Sequence, residues 1–188
     1  MTLISRAWFD GWEGHSQLIA APVAETWSRP SSFSCARSGP AEEAYRRWRQ
    51  LQITKLVAGA RSQIRKVRPS VRLSAAVFGS YPGCADSIGQ DWGAWLAGGD
   101  IDFACPMDYA TDLNQFRTWV QRQAAMPGGS RIFPGIGVTA AESHLNVFQT
   151  IDQILALRDE GMRGYALFGL GRTLERETLP ALSLGVSR

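Results

Sequence analysis

From Pro40 onward, helical and strand-like patterns alternate four times, and the connections between them are short. No other feature constrains the fold as much, because this alternation is the signature of a parallel sheet joined by right-handed helical crossovers. Ser38-Gly39-Pro40 with Glu42 and Glu43 reads as a helix start, where proline and acids suit the first turn. Tyr45, Trp48, Ile53, Leu56, Val57, Ala60, Ile64 and Val67 then recur mostly at three- and four-residue steps, an apolar helical face that Pro69 closes. Strands are expected over residues 71–78, 101–105, 131–138 and 164–170. A helix is expected over 88–97 and another over 142–160. Between these two, Thr111 or Asp112 caps a third with Leu113, Phe116, Trp119 and Val120 on one face. Pro134 and Gly135 require the third strand to bulge or to approach something closely. Leu179-Pro180-Ala181-Leu182 reads as a closing segment that packs back on the body.

Residues 1–39 do not share this grammar. They mix Trp, Ser, Arg, Pro and Gly without a sustained period, and only residues 18–23 form a short apolar run. Two readings stand: an irregular, loop-rich segment, or an aberrant start from a misread or truncated gene. The division expected is therefore 1–39, irregular or aberrant, and 40–188, the folded body.

A chain of 188 residues that is 45% hydrophobic and 20% charged can form one ordinary domain with a sizeable core. No apolar stretch approaches the roughly 18 residues that cross a bilayer, so no transmembrane segment is expected. Residues 1–14 contain no apolar core of a signal peptide. The net charge of +3 comes from arginines spread over helix surfaces. Arg61, Arg65, Lys66 and Arg68 end a helix, where cations complement its dipole, and no aromatic platform accompanies them. Nucleic acid is therefore not an expected partner. Three cysteines (Cys35, Cys84, Cys105) and two histidines (His15, His144) are too few and too irregular for a disulfide framework or an imidazole-based metal site. Gly169-Leu170-Gly171 is too short for a phosphate-cradling loop, and no cofactor is expected.

The candidate site lies where the second strand ends, at Pro106-Met107-Asp108-Tyr109. In parallel α/β folds, ligands bind at the carboxyl edge of the sheet. Asp108 and Tyr109 follow that strand terminus directly. Asp102, near the strand start, reads either as a second carboxylate or as a buried acid held by backbone or an arginine at the opposite end. Asp86 and Asp91 lie in or after the preceding loop, and Asp91 also suits a helix first turn. Tyr81 sits on the loop after the first strand, where an aromatic ring can stack on a ligand. Tyr165 and Phe168 are three apart, so at most one faces the interior; Tyr165 joins the candidates.

A resemblance covers about residues 41–188. Tyr45-Arg-Arg-Trp-Arg-Gln-Leu-Gln-Ile-Thr, Arg68-Pro69, Leu73-Ser-Ala-Ala-Val-Phe, Tyr81-Pro82, Gln90-Asp91-Trp92 and Asp102-Phe-Ala-Cys-Pro-Met-Asp-Tyr109 follow in order. Pro134-Gly-Ile-Gly-Val138, Gln153-Ile154, Arg158, Gly161, Gly164-Tyr-Ala-Leu-Phe168 and Leu179-Pro-Ala-Leu complete the series. Together they resemble the carboxyl-terminal half of the glycosyl-hydrolase-like family 10 proteins. The resemblance implies a partial (β/α)8 TIM barrel, the last four βα units with parallel strands, acting on O-glycosidic bonds of a poly- or oligosaccharide. It also implies relatives that are exported bacterial envelope proteins. Met107-Asp108-Tyr109 is loosely similar to the Met-x-Tyr pattern of chitinase-type barrels, which makes Met107 and Tyr109 sugar contacts. Glycoside hydrolysis uses two carboxyl groups, and Asp108 and Asp102 are the pair expected here, with Tyr109, Tyr81, Met107, Asp91 and Tyr165 binding substrate. The acidic motif that the family carries at the end of its fourth strand has no counterpart in this chain. A weakly active or inactive fragment is therefore expected, or alternatively a noncatalytic carbohydrate- or cell-wall-binding module. Half a barrel would also leave bare sheet edges through which copies self-associate.

Overall fold

In a computed structural model, the structure describes residues 40–185; the expectations for residues 1–39 lie outside them. The elements run α1 (Pro40–Val67), β1 (Ser74–Phe78), α2 (Gly83–Ile88), α3 (Trp92–Gly98), β2 (Phe103–Met107), α4 (Leu113–Ala124), β3 (Gly135–Gly137), α5 (Val147–Asp159), β4 (Ala166–Phe168) and α6 (Leu179–Ser183). The four strands form one all-parallel sheet in the order β1-β2-β3-β4. Ser74 pairs with Phe103, Met107 with Gly135, and Gly135 with Ala166. The chain is an α/β protein, and its sheet is compatible with a segment of a (β/α)8 barrel.

Side chains alternate across this sheet, and the alternation sorts the whole molecule. Ala75 and Val77 of β1, Ala104 of β2, Ile132, Ile136 and Val138 around β3, Leu167 of β4 and Tyr165 just before it face the helices. Two clusters form there. Val77, Ala104 and Ile132 pack with Cys84, Trp92, Trp95, Leu96 and Ile101 of the α2–α3 region. Ile136, Val138 and Tyr165 pack with Phe116 and Val120 of α4, Ile154 and Leu157 of α5, and Leu182 of α6. Leu182 confirms the closing segment as one that docks on the body.

On the other side Gly135, Gly137 and Ala166 are buried, whereas Ser74, Ala76, Phe78, Phe103, Cys105, Met107 and Phe168 are half-buried or exposed. They form an inner face on which, among the described residues, no helix packs. Cys105 is one of them, and burial pushes its thiol up to about 11.

Local differences from the expected elements have local causes. The single helix expected over 88–97 is two short ones, because Gly89 adopts the left-handed conformation (φ 81°) and ends α2. Asp91 then restarts the chain as N-cap of α3, accepting from Ala94 N. Asp112 rather than Thr111 caps α4, accepting from Asn114 N and Gln115 N. The expected third strand is shorter: a 3-10 turn occupies Gly129–Arg131, and β3 spans only Gly135–Gly137.

Candidate functional site

The carboxyl edge of the sheet is built by the residues that follow Phe78, Met107, Gly137 and Phe168. Met107 and Tyr109 continue the inner side of β2, with Asp108 between them on the other side. The Tyr109 ring meets Phe168 edge to face at 5.7 Å between centroids. Both rings lie over glycines of β3. A methyl at Gly137 would sit 2.8 Å from the Tyr109 ring, and one at Gly135 would sit 2.8 Å from Phe168. That is the close approach that the sequence pattern of this strand demanded. Thr139 fixes the neighbouring peptide: its N donates to Phe168 O (3.3 Å), and its Oγ1 bonds Gly169 (3.2 Å from N). The Phe168–Gly169 peptide is cis.

Tyr109 is half-buried, and burial together with the charges of Glu142 and Asp108 pushes its phenol up to about 12. Glu142 lies on the loop between β3 and α5 and is exposed. It thereby belongs to the rim, which the sequence reading missed by starting the helix at 142. The available signal was Asn146-Val-Phe-Gln149, a reciprocal capping box in which Asn146 Oδ1 accepts from Gln149 N while Gln149 Oε1 accepts from Asn146 N. It starts α5 at Val147 and leaves Glu142 in the loop.

Asp108 faces the helix layer and is fully buried. Its Oδ1 accepts from Gln123 Nε2 of α4 at 2.8 Å. Among the described residues, neither Asp108 Oδ2 nor the buried Gln123 Oε1 has a hydrogen-bond partner. Burial pushes the Asp108 carboxyl up to about 7, against a smaller opposing pull from the Gln123 amide. Gly79, across the β1–β2 pairing, leaves room for this carboxyl, since a methyl there would collide with Oδ1. Asp108 is thus a neutral-leaning acid behind the sheet rather than a carboxylate open to the inner face.

The other sequence candidates lie elsewhere. Asp102 precedes β2 at the amino end of the sheet. It accepts from Arg61 Nη1 and Nη2, the latter at 2.6 Å, and from Leu73 N at 2.6 Å. The arginine holds its carboxyl below the usual range. Asp102 and Asp108 are separated by the length of β2, roughly 16–20 Å at 3.3 Å per residue, and so do not flank one glycosidic bond. Tyr81 turns into the helix layer, its ring 4.7 Å from Trp92 and its hydroxyl donating to Asp91 Oδ1 at 2.9 Å. Burial pushes the Tyr81 phenol up to about 12, with the Asp91 bond adding to it. Asp91 is occupied by this bond and by its cap. Tyr165 is buried in the α4–α5 cluster, on the face away from Phe168, so Phe168 is the residue of that pair on the inner side. Asp86 is exposed on α2. Of the sequence candidates, the rim therefore brings together only Met107 and Tyr109.

A cavity of about 250 Å³ lies between the loop after β1 and α4, lined by Tyr81, Pro82, Trp119, Arg122, Gln123 and Met126. Its lining also includes Gly79 and Ser80, which follow β1 at the carboxyl edge, and Gln123 is the partner of Asp108. No helix among the described residues is long and apolar enough to cross a membrane. No group of three His, Cys, Asp or Glu side chains among them is gathered as for a metal ion.

No curated protein matches this sequence. The family model described as glycosyl hydrolase-like 10 matches residues 26–138, more than half of the chain and inclusive of β1, β2, β3 and the Met107–Tyr109 rim. The chain belongs to the glycosyl hydrolase-like 10 family.

Proposed function

We propose that this chain is the carboxyl-terminal half of a glycoside hydrolase-like barrel whose inner rim contacts a poly- or oligosaccharide. One observation carries the reading. Met107 and Tyr109 share the inner face at the carboxyl edge of a parallel sheet, where such folds bind ligands, and Phe168 extends the aromatic surface beside them. An aromatic ring with its phenol at a half-open rim suits the apolar face and hydroxyls of a sugar ring. Chemistry on an O-glycosidic bond needs two carboxyl groups about 5–9.5 Å apart. Asp102 and Asp108 do not supply that pair, and Glu142 is an exposed acid on the neighbouring loop whose charge acts on Tyr109. Hydrolysis by the isolated chain is accordingly weak or nil.

The second reading, a noncatalytic carbohydrate- or cell-wall-binding module, draws support from the same separation of the two acids. Glycan-array binding and a turnover assay on the purified chain distinguish the two. The catalytic reading expects measurable turnover that falls at least tenfold in Glu142→Gln. The binding-module reading expects none, with retention of glycan that survives Asp108→Asn and is lost in Tyr109→Ala. Failure of every glycan to bind the unmodified chain would remove both.

A further inference from the structure

α4 carries two stripes of side chains. Phe116 and Val120 enter the core, whereas Trp119, Arg122, Gln123 and, just past the helix end, Met126 line the cavity beside the loop after β1. Their spacing of i, i+3, i+4 and i+7 puts these four on one side of a helix. The facing wall begins with Gly79 and Ser80. Phe78 pairs with Met107, and Gly79 lies against the Asp108 carboxyl, so this wall belongs to the same carboxyl edge that carries Tyr109.

The α4 wall holds groups that the fold itself does not use. Arg117 of the same helix is matched to Asp159 at 3.0 Å and to Glu160 at 3.8 Å, whereas among the described residues no carboxylate pairs with Arg122. Gln123 is 2% exposed, and its Oε1 accepts from no described residue, although a buried acceptor without a donor is costly. Trp119 between them is half-buried and adds an aromatic ring. At about 250 Å³ the cavity lies just below the roughly 300–1,000 Å³ of drug-sized sites, which limits an occupant to about one sugar ring.

We infer that this cavity is a subsite for a single sugar unit bearing a carboxylate, of the hexuronate class. Arg122 pairs with the carboxylate, Trp119 takes the apolar face of the ring, and a ring hydroxyl donates to Gln123 Oε1. The inference rests on the saccharide reading of the rim and adds the class of sugar and a second place where a glycan is held. A neutral sugar leaves Arg122 unmatched, and an apolar carboxylate leaves Gln123 Oε1 without a donor. Each therefore satisfies only part of the site.

NMR titration of the isotope-labelled 188-residue chain with glucuronate, glucose and cyclohexanecarboxylate tests this. Glucuronate is expected to shift the Trp119 indole resonance and the amides of Gly79, Ser80 and Gln123 saturably. A hydrogen bond to a charged group is worth about tenfold or more in affinity, so glucose is expected to bind about tenfold more weakly. Arg122→Gln is expected to weaken glucuronate by the same factor, and cyclohexanecarboxylate to bind the unmodified chain more weakly than glucuronate does. Arg117→Gln removes an equal charge from the same helix outside the cavity and is expected to leave binding unchanged. Absence of saturable shifts at the cavity residues overturns the inference. So does glucose or cyclohexanecarboxylate binding as tightly as glucuronate, or glucuronate binding that is indifferent to Arg122→Gln. A glycan that shifts Tyr109 and Phe168, when no sugar acid shifts the cavity residues, leaves the proposed function standing while this inference falls; no saccharide shifting either set removes both.

Discussion

Two carboxyl groups of the β2 region are pushed in opposite directions by their surroundings. Asp108 is raised to about 7 by burial, whereas Asp102 is lowered by the Arg61 guanidinium and the Leu73 amide. Their contributions to stability therefore run oppositely with pH. For Asp108, the folded protein holds a proton that the unfolded chain releases near 4, so its contribution is complete below that pH. It is lost as pH rises from about 4 through about 7, at up to about 1.4 kcal/mol per pH unit. For Asp102, the contribution is present above the ordinary carboxylate pKa and is lost as pH falls through its depressed value. Asp108→Asn keeps the shape and an acceptor for Gln123 Nε2 while removing the titration. Urea unfolding from pH 4 to 8 is expected to show the decline with pH in the unmodified protein and a flatter profile in the variant. Equal slopes would mean that Asp108 is ionised without penalty, and that water reaches it behind the sheet.

At the level of elements, α1 is held less by burial than by polar attachments. Arg61 forks onto Asp102, Arg49 Nη2 donates to the carbonyls of Asp86 (2.7 Å) and Ser87 (2.8 Å), and Trp95 Nε1 donates to Thr54 Oγ1 (2.9 Å). Removing one partner from a largely buried ion pair leaves the other uncompensated. Asp102→Ala is therefore expected to destabilise by about 2–4 kcal/mol and to loosen α1, visible as faster hydrogen exchange along residues 54–67. What the sequence made legible follows the same division. The long α1, the alternation and the Asp112 cap were readable because period and capping chemistry are local. The break between α2 and α3 turned on a single left-handed glycine, Gly89, inside a pattern that reads as one helix. The fate of Tyr81, Asp91 and Tyr165 depended on which side of the sheet each faces. A strand's alternation gives two faces, but only packing says which of them meets helices. Met107, Asp108 and Tyr109 stood out in the sequence because they end a strand and are similar to a Met-x-Tyr pattern, neither of which reveals that Asp108 faces the opposite side from the other two.

On the scale of the whole molecule, the apolar side chains divide into a set enclosed by the fold and a set left on its outside. Phe116, Leu96 and Trp92 are fully enclosed, whereas Trp48 and Leu56 remain exposed on α1. These two sets contribute very differently to unfolding. Phe116→Ala removes a fully enclosed side chain and is expected to cost about 3–5 kcal/mol of unfolding free energy. Trp48 is half exposed and stacks on Tyr45 of its own helix at 5.9 Å between centroids. Trp48→Gln is therefore expected to cost no more than about 1 kcal/mol. Denaturant titrations of both variants separate the contributions. A Trp48→Gln penalty as large as that of Phe116→Ala would place Trp48 in a buried contact of the fold.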